Sequence, residues 1–95
     1  MTPARVLVVE DNDRNRKLVR AVLEHAGYEV VEAATGEQGV TTAVQDSPDL
    51  VLMDVQLPGI DGHEALRLLR DEPATHHLPV VAVTAFAMPG DEARA

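Results

Sequence analysis

Three acids and a hydroxyl fall where short apolar runs end. Glu10-Asp11 follow Val6–Val9, Asp54 follows Leu50–Met53, and Thr84-Ala85 follow Val80–Val83. If those runs are adjacent strands, the acids converge on one edge of a sheet. Carboxylates that close repel strongly until something neutralises them. A hard divalent cation with oxygen ligands does so, and Mg²⁺ is the simplest choice, because it keeps several waters and needs only one or two carboxylates. Acids at strand ends are also common simply because loops are polar, so no single one of them carries the argument. The set at successive strand ends does.

The elements that would position them are legible. Val6–Val9, Leu50–Met53 and Val80–Val83 are continuous rather than alternating, as in strands of a parallel sheet buried on both faces. Val30–Val31 is flanked by Glu29 and Glu32 and reads as an edge strand. Between the strands lie helical patterns. Leu18, Val19, Val22, Leu23 and Ala26 share one helical face, and Gly27 follows as a C-terminal stop. Thr35-Gly36-Glu37-Gln38 has capping-box spacing ahead of Val40, Ala43 and Val44. Asp61-Gly62-His63-Glu64 has similar spacing ahead of Ala65, Leu66 and Leu69. The β-α-β-α-β-α-β alternation predicts an α/β, doubly wound parallel sheet of order 2-1-3-4. Its ligand site lies beyond the carboxyl ends of the strands, where the winding reverses.

Composition narrows the chemistry. The 95 residues carry a net charge of −8 and are 45% apolar, enough for one globular domain over residues 1–95. There are no cysteines, which excludes disulfides, zinc–thiolate sites and thiol catalysis. Aromatics are 2%, Tyr28 and Phe86, too few for base stacking. Residues 1–27 are net +1 and residues 28–95 net −9, so no basic stripe is present and nucleic acid is not expected as a partner. No apolar run spans a membrane, no signal peptide is evident, and a cytoplasmic location is expected. His25, His63, His76 and His77 lack metal-ligand spacing, and no glycine-rich nucleotide loop follows the first strand.

Val8-Val9-Glu10-Asp11-Asn12, Leu52 to Gly62 and Val83-Thr84-Ala85 together resemble the response-regulator receiver (CheY-like) domain, a flavodoxin-like fold. Thr84 to Met88 is also similar to DivK-type single-domain receivers and to those of hybrid kinases. The resemblance implies a signalling module rather than an enzyme. It implies that Asp54 accepts a phosphoryl group from a histidine kinase or histidine phosphotransfer protein. It matches Glu10, Asp11, Asp54 and the backbone carbonyl of Gln56 to the Mg²⁺ ligands. Thr84 matches the switch hydroxyl, and Ala85 the small residue beside the phosphoryl group. Arg14, Arg16 and Lys17, on a helix to which Arg20 adds basic character, would form the docking surface for the kinase or phosphotransfer partner.

Against the family pattern the chain is expected to lack the fifth strand and fifth helix, and with them the phosphate-pairing lysine. Lys17 does not match that position. An open, apolar fourth strand is then expected to invite self-association. Two rival readings remain at this point. One is a receiver-like interaction module that is not phosphorylated. The other is a small Mg²⁺-dependent phosphohydrolase, which would want a second Asp two residues after Asp54 where Gln56 stands.

Overall fold

The computed structural model describes residues 3–54, 59 and 62–83. Its elements run β1 (Arg5–Val9), α1 (Asp13–His25), β2 (Glu29–Ala33), α2 (Gly36–Asp46), β3 (Leu50–Asp54), α3 (Gly62–Asp71) and β4 (Val80–Val83). The strands form one sheet of order β2-β1-β3-β4, all pairs parallel. Continuity implied burial on both faces, and β1 alone shows it throughout: β3 alternates buried and half-buried positions, and β4, at the sheet edge, leaves Val81 47% exposed. Val6, Leu7, Val8 and Val9 are all buried, because β1 is central and both its faces are covered.

The alternation along β1 divides two cores. Leu7 and Val9 pack with Val51, Met53, Ala43, Ala65, Leu69 and Leu78 on the α2/α3 side. Val6 and Val8 pack with Val19, and with the half-buried Leu23, Val30, Leu50 and Leu52, on the α1 side. Glycine sets the spacing on the first side. A Cβ at Gly39 of α2 would stand 2.7 Å from a Val9 methyl carbon. Gly39→Ala is therefore expected to cost about 1–3 kcal/mol through overpacking, measured as a lowered urea midpoint with an unchanged slope.

Local signals start and stop the helices. The Asn12 side chain caps α1 by accepting from the Asn15 N–H at 2.9 Å, and Gly27, at φ 98°, ends it. Thr35 caps α2 by accepting from the Gln38 N–H at 3.1 Å. The Gln38 amide oxygen reaches back to the N–H of Ala34 at 3.0 Å, one residue before the cap where a strict capping box would end. Asp61 lies outside the described residues, so the third cap is not placed.

The apolar stripe of α1 is wider than the sheet buries. Only Val19 is buried and Leu23 half-buried, while Leu18 and Val22 are each 62% exposed. The helix lies over β1 and β2, which turns the 19/23 line inward and the 18/22 line outward.

Candidate metal centre

Parallel pairing brings the strand ends level. Val9 stands opposite Ala33 of β2 and Met53 of β3, and Asp54 stands opposite Val83 of β4. Glu10 is the first residue past β1. Its N–H donates to the Ala33 carbonyl at 3.0 Å, carrying the ladder one residue further. The Glu10 side chain is 1% exposed. Its Oε2 accepts from the Asn12 N–H at 2.9 Å, and its Oε1 is buried without a hydrogen-bond partner.

Asp54 ends β3 half-buried, and Asp11 is exposed at the mouth. One carboxylate oxygen from each of Glu10, Asp11 and Asp54 lies within 4.8 Å of the others. The Glu10 carboxyl is raised to about 7: burial is the largest cause, the Asn12 N–H partly offsets it, and the neighbouring Asp54 and Asp11 add to the rise. A buried carboxyl group with one oxygen lacking a hydrogen-bond donor, clustered with two further carboxylates, fits a hard divalent cation. Without such a cation the same cluster favours holding a proton.

The predicted site residues separate into three groups. Glu10, Asp11 and Asp54 are brought together. Gln56, Thr84 and Ala85 lie outside the described residues. Gly59, from the expected turn after β3, has φ 75°, a conformation glycine adopts freely. On α1, Arg14 and Lys17 are exposed, but Arg16 is not the free docking cation that the sequence suggested. Its side chain is 15% exposed and bound to Glu32, Asp13 and the Glu10 carbonyl, because it sits one turn after Asn12 and faces back over the strand ends. Sequence reasoning gave Glu32 no role beyond marking an edge strand. It accepts from both Arg16 and Arg20.

A doubly wound parallel sheet with acids at the β1 and β3 ends is a flavodoxin-like arrangement with its site where the winding reverses. The family model for the response regulator receiver domain matches residues 6–95. The chain is 47% identical over 92 residues to the polar-differentiation response regulator DivK of Brucella anthropi, covering 97% of this chain and 75% of the relative. Among solved structures, the receiver domain of a sensor histidine kinase from Pseudomonas aeruginosa superposes with a TM-score of 0.84 at 37% identity, over 96% of this chain and 75% of that one. That structure holds a magnesium ion coordinated in its active-site cleft. The N-terminal domain of a response regulator receiver protein from Methanoculleus marisnigri gives a TM-score of 0.83 at 33% identity, over 95% of this chain and 73% of that one. The chain belongs to the response-regulator receiver domain family of two-component signalling.

Among the described residues no helix is long and apolar enough to cross a membrane.

Proposed function

We propose that residues 1–95 act as a phosphoacceptor receiver domain, with Asp54 taking a phosphoryl group in the presence of Mg²⁺. The observation that carries this reading is the buried, partnerless Glu10 Oε1 beside Asp11 and Asp54 at the end of the central strands. Glu10, Asp11 and Asp54 would hold the ion, joined by the Gln56 carbonyl. Mg²⁺, when bound, supplies charge neutralisation for an incoming phosphoryl group.

The chain's own part is alignment. A carboxylate is a weak nucleophile, but phosphoryl transfer asks mainly for position and electrostatics. An Asp54 carboxylate oxygen attacks phosphorus, the phosphorus–nitrogen bond of a phosphohistidine breaks, and the leaving imidazole keeps that electron pair and takes up a proton. The product is an acyl phosphate on Asp54. Thr84 would donate its hydroxyl to a phosphoryl oxygen, and Ala85 would leave room for it.

The donor is a histidine kinase or a histidine phosphotransfer protein. Arg14 and Lys17, exposed beside the Leu18/Val22 ridge of α1, offer it a face of mixed basic and apolar character.

Intact mass after incubation with phosphoramidate tests the reading. A phosphoryl adduct is expected with Mg²⁺ and none with a chelator. A folded protein that binds Mg²⁺ but forms no adduct would contradict it and favour the non-phosphorylated interaction module.

A further inference from the structure

The main chain where β1 gives way to the acidic pair is held from several directions. The Glu10 N–H is bound to Ala33 of β2, and the Glu10 carboxylate to the Asn12 N–H. The Glu10 carbonyl accepts from Arg16 Nη1 at 2.9 Å. The other edges of the same guanidinium are spoken for. Arg16 Nε donates to Glu32 Oε1 at 2.9 Å, and Nη2 donates to Asp13 at the start of α1. Glu32 is in turn held by Arg20, which also reaches Glu24.

We propose that Arg16 is a positioning residue for the metal centre: anchored on Glu32 of β2, its guanidinium fixes the peptide joining Glu10 to Asp11, and so the bearing of both acids. This rests on reading Glu10, Asp11 and Asp54 as a Mg²⁺ site. The Glu10 carbonyl oxygen belongs to a rigid plane that also contains the Asp11 nitrogen and Cα. Holding that oxygen fixes the direction in which Asp11 leaves the strand. Only a planar fork reaches three acceptors at once, one just past β1, one on β2 and one on α1. An ammonium is a single point and does not span them. The side chain is 15% exposed, so these charge-assisted bonds act in a partly dry setting.

Charge and position predict opposite signs here. Arg16 is a cation close to a cation site. If it acted through charge alone, removing it would tighten Mg²⁺ binding. If it positions the acids, removing it loosens binding. Mg²⁺ dissociation constants from calorimetry on the full chain, with urea midpoints alongside, decide between them. Arg16→Gln is expected to raise the constant about tenfold, and Arg16→Lys to do nearly the same. Glu32→Gln, which leaves Arg16 in place but replaces its charged anchor on β2 with a weaker neutral acceptor, is expected to raise it severalfold. Arg20→Gln, which removes a cation that touches Glu32 but not Glu10, is expected to leave it within about twofold.

An unchanged or tighter constant in Arg16→Gln, with the protein folded, overturns the proposal. So does full rescue by Arg16→Lys. If Arg16→Gln does not fold, Arg16→Lys and Glu32→Gln decide by the same criteria. Absence of saturable Mg²⁺ binding in the unsubstituted chain overturns the metal-centre reading, and this inference with it, whereas normal binding there with no change in the variants overturns this inference alone.

Discussion

Asp54→Asn is expected to abolish phosphoryl incorporation while leaving the sheet intact. The two side chains have nearly the same volume, so the pairing of β3 with β1 and β4 is preserved. The amide is not a nucleophile, and it withdraws one anionic ligand from the acidic cluster. The substitution also removes one of three mutually repelling charges. The metal-free protein is therefore expected to become more stable at pH 8, by about 1 kcal/mol. Loss of the adduct together with a raised urea midpoint would separate a missing acceptor from a damaged fold. The Glu10 carboxyl should fall towards its ordinary range but stay above it, because burial is the largest cause of its elevation. An NMR titration of its side-chain carbonyl carbon reads that change.

Glu10→Gln is expected to have the second large effect, and its sign depends on pH and metal. Folding lifts the Glu10 carboxyl from 4.5 to about 7. Between those values the folded chain binds more protons than the unfolded chain, so stability falls as pH rises through that window. The favourable contribution is complete below the lower value and gone above the upper one. Glu10→Gln removes this dependence. At pH 8 and without metal the variant is expected to be more stable by about 2 kcal/mol, and at pH 4 by little or nothing. Mg²⁺ reverses the comparison, since it offsets the charge in the unsubstituted chain and binds the variant about 10–100-fold more weakly. Paired urea titrations at pH 4 and pH 8, with chelator and with Mg²⁺, give all four values. Equal stability of the two proteins at both pH values without metal would contradict the burial account of Glu10.

The strand order was partly readable: the fully buried valine run marks β1 as central and the flanking Glu29 and Glu32 mark β2 as an edge, whereas the equally continuous Val80–Val83 run forms the other edge, with Val81 47% exposed. The acidic cluster was readable for a related reason. In a parallel sheet all strands end on the same side, so residues after each run must meet, and Glu10, Asp11 and Asp54 do. Side-chain partners chosen across the fold were not readable. Arg16 looked like one of several basic residues on a solvated helix, and only the placement of α1 over β2 turns it onto Glu32 and the Glu10 carbonyl. The inward line of α1 was equally hidden. Five apolar residues share a broad stripe, and the sequence does not say which line the sheet selects. Thr75 left no signal at all, yet it is fully buried, with its hydroxyl donating to the Leu69 carbonyl at 2.7 Å beyond the end of α3.

The claim that Asp54 is the acceptor is tested most directly by locating the phosphoryl group. After phosphoramidate and Mg²⁺, borohydride converts an aspartyl phosphate to homoserine, which tandem mass spectrometry assigns to a position. The account predicts homoserine at position 54 and ordinary aspartate at positions 11, 13, 46, 49, 61, 71 and 91. Homoserine at position 11 with aspartate retained at 54, or no conversion in a folded, Mg²⁺-saturated protein, would contradict it.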